Sequence, residues 1–208
     1  MFITLEGIDG AGKSTQFRLL KNYFEENTIS SFFIKSDSAF DGVKEKILDN
    51  YGHIDPIAVF LLTLAKHKVV EMNVVKQETN YEYVIVDRYI DTSLAYTKAN
   101  INTDNKMDFT SIQNELVKLY KMPDITILID TPPEIAIERK NQLGFDRIEF
   151  GNSSFKLENK EVQFIKNQND ARNCYLQLAR QYANRYHIID GTSSIEKIHK
   201  EIIERINL

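Results

Sequence analysis

The apolar run Phe2-Ile3-Thr4-Leu5-Glu6 passes directly into Gly7-Ile8-Asp9-Gly10-Ala11-Gly12-Lys13-Ser14-Thr15. A strand-like segment therefore ends in a glycine-rich turn. The turn opens into a helical pattern carrying Phe17, Leu19, Leu20, Tyr23 and Phe24. Gly7, Gly12, Lys13 and Ser14 fill the spacing G-x-x-x-x-G-K-S. Such a loop turns successive backbone N–H groups onto one anion, and side chains in the path would block the approach. Gly7, Gly10 and Gly12 take the required dihedrals at low cost. The helix that follows adds the positive end of its dipole. Lys13 brings a mobile charge to the outer phosphates, and the Ser14 hydroxyl is placed to ligate magnesium. An ordinary strand-to-helix turn needs neither the lysine nor three glycines.

Downstream, short apolar runs alternate with longer amphipathic ones. Strands are expected at Phe2–Glu6, Ser31–Lys35, Tyr83–Asp87, Ile125–Asp130 and Tyr186–Asp190. Helices are expected over 13–27, 43–48, 56–78, 93–97, 109–120, 133–141 and 160–184, with a last one after Ser194. Asp55-Pro56 reads as cap and first turn of the third segment. That segment is almost wholly apolar from Ile57 to Ala65, which predicts burial on more than one side. Residues 36–42 and 100–108 read as polar loops, and 142–158 as a lid or loop. Alternating strands and helices give a parallel α/β sheet, whose ligands bind at the carboxyl ends of strands. Glu6-Gly7, Asp87-Arg88 and Asp130 lie at three such ends.

The 208 residues fit one domain, or one domain with a small lid. A net charge of −4 supplies no basic field for nucleic acid. Cys174 is the only cysteine, which excludes an internal disulfide and suits a reducing cytosol. The four histidines have no metal-ligand spacing. No apolar run approaches membrane-spanning length, and the strand at the start leaves no room for a signal peptide.

Phosphoryl transfer asks a protein for alignment, charge neutralisation and exclusion of water. Lys13 and the loop amides are candidates to hold the donor. Ser14 is a candidate magnesium ligand, with Asp87 holding the ion through water. Arg88 can grip an acceptor phosphate with two parallel bonds, which lysine cannot do. Arg139 and Arg147, before and inside the lid, are candidates to close over the phosphates.

The segment Glu6 to Gln16 resembles the phosphate loop of thymidylate kinases. Asp87-Arg88-Tyr89 with Ser93, Ala95 and Tyr96 is similar to their D-R-Y-x-x-x-S-x-x-A-Y segment. Pro123-Asp124, Asp146-Arg147-Ile148-Glu149, and Arg172 with Tyr175-Leu176-Gln177-Leu178-Ala179 resemble the family as well. The resemblance implies a P-loop NTPase-type three-layer α/β fold, with a five-stranded parallel sheet flanked by helices. It implies one nucleoside monophosphate kinase domain over 1–208, with a small lid at about 140–160. It further implies a cytoplasmic, magnesium-dependent homodimer acting on small-molecule nucleotides, with ATP phosphorylating dTMP to dTDP. ATP would meet Gly7, Ile8, Asp9, Gly10, Ala11, Gly12, Lys13, Ser14, Thr15 and Arg139, the last against the adenine. The acceptor would meet Asp9, Arg88, Tyr96, Glu149 and the positions of Thr63 and His67. Lys13, Arg88, Asp9 and Arg147 would be catalytic, Arg147 as the lid's cation.

The chain departs from the family where the acceptor binds. The family carries an arginine beside a proline after the second strand; here the segment is Lys35-Ser36-Asp37-Ser38-Ala39-Phe40. No arginine occurs between Arg18 and Arg88. The family's thymine-stacking phenylalanine and the arginine four residues later correspond to Thr63 and His67. These changes predict weak dTMP affinity or preference for another pyrimidine nucleotide. Kinases of a nucleoside or a modified nucleotide, and a non-catalytic nucleotide-binding homologue, are the alternative readings.

Overall fold

A computed structural model describes residues 1–35, 42–51, 55–100, 109–141 and 160–208. In chain order these form β1 (Phe2–Glu6), α1 (Lys13–Glu26), β2 (Ser31–Lys35), α2 (Val43–Tyr51), α3 (Pro56–Gln77), β3 (Tyr83–Asp87) and α4 (Ile90–Asn100). Then come α5 (Phe109–Val117), β4 (Ile125–Asp130), α6 (Pro133–Asn141), α7 (Lys160–Gln181), β5 (Tyr186–Asp190) and α8 (Ile195–Arg205). The five strands form one sheet in the order β2-β3-β1-β4-β5, and every pairing is parallel. All five strand segments stand where the sequence predicts them.

The central strands β1 and β3 are buried along their whole length. Helices cover both faces, so these strands are continuous apolar runs rather than alternating ones. From β1 the chain goes to β2 and back to β3 on one side, then crosses to β4 and β5 on the other. The direction therefore reverses at β1. A crevice forms outside the carboxyl ends of β1, β3 and β4, where open α/β sheets take their ligands.

Long-range polar contacts fix the neighbouring elements. Arg185 follows α7 and turns inward, donating two bonds to Asp91 at 2.6 and 2.8 Å and one to the Thr126 hydroxyl at 2.6 Å. Its guanidinium lies 5.0 and 4.7 Å from the ring centres of Tyr182 and Tyr186. Removing one partner of such a buried pair typically costs about 3–5 kcal/mol. The inward turn also ends α7 at Gln181, short of the expected Asn184. Helix α4 starts three residues earlier than expected, at Ile90, for a reason that lies in the site. Helix α2 runs on to Tyr51, and α5 stops at Val117.

Helix α3 begins as predicted, with Asp55 accepting from the N–H groups of Ile57 and Ala58 at 2.8 and 3.3 Å. Its burial differs from the expectation. Phe60, Leu64, His67, Val70 and Val74 form the buried stripe. Leu61, Met72 and Val75 on the other side are 58, 69 and 51% exposed. Among the described residues, no helix is long and apolar enough to cross a membrane.

Candidate active site

Residues 7–12 wrap over the carboxyl end of β1. Gly10 has φ +81°, and a Cβ there would lie 2.5 Å from the carbonyl oxygen of Ala136 in α6. Only glycine fits that approach, so α6 can pack its first turns against the loop. Ile8 and Ala11 are buried beneath the loop. Gly12 caps α1, and Lys13, Ser14 and Thr15 form the helix's first turn. The Ser14 side chain is exposed and Thr15 half-buried.

Lys13 is buried, with Nζ donating to the carbonyl oxygens of Gly7 and Ile8 at 3.0 and 2.6 Å. Burial, and then the nearby Arg88 charge, lower its pKa from 10.5 to about 7. Asp9, Asp87 and Glu6 act in the opposite sense. An anion placed under the loop amides would favour the charged amine again.

Across the crevice, Arg88 follows β3 in the left-handed region at φ +68°. A non-glycine residue held there stores roughly 1–3 kcal/mol of strain. Its guanidinium pairs with the Asp9 carboxylate and donates to the carbonyl oxygen of Gly7 at 3.1 Å. It also lies 5.8 Å from the ring centre of Tyr96. Burial pushes the Asp9 carboxyl up, but Arg88, Lys13 and Lys140 together pull it below its ordinary value. The Asp9 N–H reaches the Tyr96 hydroxyl at 3.1 Å. Asp9, Arg88 and Tyr96, expected to share an acceptor site, are thus in contact. Asp87 is buried, and its Oδ1 has no hydrogen-bond partner among the described residues.

Arg139 lies along the loop's other flank, donating to the carbonyl oxygens of Ala11 and Gly191 at 3.4 and 2.9 Å. The Thr63 hydroxyl turns back onto its own helix, 2.9 Å from the carbonyl oxygens of Val59 and Phe60. His67 is buried edge-on against Tyr89, ring centres 5.6 Å apart. Arg147 and Glu149, and the segment 36–40, lie outside the described residues.

Three groups on α7 join the site: Gln168 escaped the sequence reading, and Arg172 and Tyr175 stood there as part of the family resemblance without a role. Gln168 is fully buried, its Oε1 accepting from the Asp9 N–H at 3.0 Å and the Tyr96 hydroxyl at 2.7 Å. Arg172 grips Asp130, at the end of β4, with bonds of 2.6 and 2.8 Å. The Tyr175 hydroxyl reaches Glu6 at 3.0 Å. Positions 168, 172 and 175 share one helical face. A polar stripe beside buried Ala171 and Leu178 was the available signal. Glu6 itself accepts from the Tyr89 N–H at 2.8 Å, so α4 starts directly after the turn at Arg88.

A glycine-rich loop with a buried lysine here faces an arginine paired with Asp9 at the end of the neighbouring strand. That layout defines a P-loop phosphotransferase. The thymidylate kinase family model matches residues 5–202. The chain is 35% identical to a thymidylate kinase of Fervidobacterium nodosum, covering 100% of this chain and 98% of that protein. It is 32% identical to a thymidylate kinase of Kosmotoga olearia (100% and 96% covered) and 34% to one of Thermosipho africanus (97% and 95%). The chain belongs to the thymidylate kinase family.

Proposed function

We propose that the protein transfers the γ-phosphoryl group of ATP to dTMP, giving dTDP and ADP. The observation that carries this reading is the contact of Arg88, Asp9 and Tyr96 across from Lys13. An oxygen of the acceptor phosphate attacks the γ-phosphorus, and the bond from that phosphorus to the β-bridging oxygen breaks. The loop amides and Lys13 hold the donor phosphates and offset the charge that develops between them. Arg88 releases part of its grip on Gly7 and Asp9 to take the acceptor phosphate in a bidentate bond. Asp9 and Tyr96 then face the acceptor sugar, and Arg139 the adenine. Arg147, from a lid at about 140–160, supplies a further cation, and Glu149 joins the acceptor side.

The residues fit a magnesium ion: the Ser14 hydroxyl is exposed at the loop, and the buried Asp87 Oδ1 lacks a hydrogen-bond partner among the described residues. Ser14 would hold the ion directly and Asp87 through water. A magnesium ion held there would supply positive charge to offset that of the donor phosphates.

The base contacts are altered. At position 63 a threonine whose hydroxyl is already bonded to its helix replaces a stacking ring. His67 packs on Tyr89. Weakened dTMP affinity, or acceptance of other pyrimidine nucleotides, follows from these two positions. The protein acts as a cytoplasmic homodimer in this reading. The exposed apolar stripe of Leu61, Met72 and Val75 on α3 supports a second copy there.

The test is ADP release with dTMP, dUMP, dCMP and thymidine under one set of conditions, with Lys13→Ala as the inactive control. Turnover led by a monophosphate supports the proposal. Turnover of a nucleoside alone, or slow ATP hydrolysis indifferent to any acceptor, overturns it.

A further inference from the structure

Glu6 ends β1, one residue before the phosphate loop, and is fully buried. One carboxyl oxygen, Oε1, accepts from the Tyr89 N–H at 2.8 Å. The other, Oε2, lies 2.6 Å from the Thr92 hydroxyl and 3.0 Å from the Tyr175 hydroxyl, which are 2.8 Å from each other. Thr92 Oγ1 is also 3.4 Å from the Arg88 guanidinium. The Arg88 N–H is held by the carbonyl oxygen of Leu5 at 3.1 Å. The left-handed turn at Arg88 is therefore gripped at both ends from β1: by the Leu5 backbone before it and by the Glu6 side chain after it.

We propose that Glu6 is a positioning residue for Arg88: by holding Tyr89 N–H and Thr92, it locks the left-handed turn that aims the guanidinium at the acceptor phosphate. The proposal rests on the reading of Arg88 as the clamp on that phosphate. Glu6 is fully buried, so its role in this proposal runs through the turn.

Glu6 Oε2 accepts from the Thr92 and Tyr175 hydroxyls, which also lie within hydrogen-bond distance of each other. Burial, and then the Asp91 charge on α4, raise the Glu6 pKa from 4.5 to about 7; the bonds from Thr92 and Tyr89 and the charge of Arg88 oppose them. Lys13, Tyr175, Arg185 and Tyr186 are the other titratable groups that interact with it. As pH rises through neutrality, a charge appears on this buried carboxyl under the turn.

The experiment compares Glu6→Ala, Glu6→Gln and Thr92→Val with the wild-type full chain. Kinetics with ATP and dTMP are measured from pH 6 to pH 8.5. The heteronuclear NOE of the Arg88 Nε–H is recorded without substrate. Glutamine can offer a carbonyl oxygen to Tyr89 and two N–H groups to the hydroxyls, so it imitates the protonated acid. The expected result for Glu6→Ala is a dTMP KM raised about tenfold or more, an ATP KM changed less than about twofold, and a mobile Arg88. Thr92→Val keeps the side chain's shape and shifts the same two readouts in the same direction. Glu6→Gln recovers most of the alanine loss and flattens the rise of the wild-type dTMP KM above about pH 7. Equal changes in both KM values, or glutamine as impaired as alanine, overturn the proposal. A wild type inert toward dTMP overturns the acceptor reading instead. In that case the Arg88 NOE decides: an unchanged NOE in both Glu6→Ala and Thr92→Val overturns the role of Glu6.

Discussion

Arg88→Lys keeps the charge at the crevice and removes the planar fork. Lysine, like arginine, is unbranched at Cβ and meets the same backbone cost at φ +68°, so the fold should survive. Arg88 bonds Asp9 and the Gly7 carbonyl together, and stacks over Tyr96 with its charge 5.8 Å from the ring centre. A lysine ammonium keeps the attraction to Asp9 but cannot hold both partners or take a phosphate with two parallel bonds. The loss is one charge-assisted hydrogen bond, about 1.5–3 kcal/mol, and a stacking contribution of about 0.5–1 kcal/mol. Both partners are 22% exposed at the side chain, so solvent screens the contact only in part. A total of about 2–4 kcal/mol corresponds to roughly 30- to 1,000-fold in kcat/KM for the acceptor. The assay is ADP release, varying dTMP at saturating ATP and then the reverse. The ATP KM should hold steady while the acceptor kcat/KM falls. A variant within about threefold of wild type on the acceptor side would refute the role of the fork.

Gly10→Ala combines a left-handed residue with a Cβ 2.5 Å from the Ala136 carbonyl oxygen, so about 2–4 kcal/mol should be lost. Thermal denaturation should show a drop of about 5–15 °C with a raised ATP KM, and an unchanged Tm would contradict this packing. Glu6→Gln tests the raised carboxyl pKa through stability. Between 4.5 and about 7 the folded wild type binds the Glu6 proton more tightly than the unfolded chain, so this stabilisation is full below that window and gone above it. The variant's Tm relative to wild type should therefore climb from pH 4.5 to about 7 and level off, and a flat difference would dismiss the shift. Glutamates at Leu61 and Met72 should convert a dimer to a monomer by light scattering at micromolar concentration, and a monomeric wild type would remove the basis for α3 as the interface.

Local chemistry in the sequence determined the five strands, the phosphate loop and the starts of α1, α3, α6 and α8. Each follows from neighbours in the chain: apolar runs, glycines, Asp55 before Pro56, and Ser194 accepting from the Lys197 N–H. The residues of the glycine-rich loop were therefore readable from their spacing, and Asp87-Arg88 from its place at a strand end. Tertiary structure decided the rest, because the deciding partners lie far apart in the chain. The strand order depends on which apolar faces the helices cover. Helix α4 starts at Ile90 because Glu6, 83 residues earlier, accepts the Tyr89 N–H. Helix α7 stops at Gln181 because Arg185 turns in to Asp91, 94 residues away. Gln168 enters the site only through Asp9, 159 residues distant, and no local pattern encodes such a pairing. On α3, the run from Ile57 to Ala65 is almost wholly apolar, but it could not say which face the core takes and which stays open.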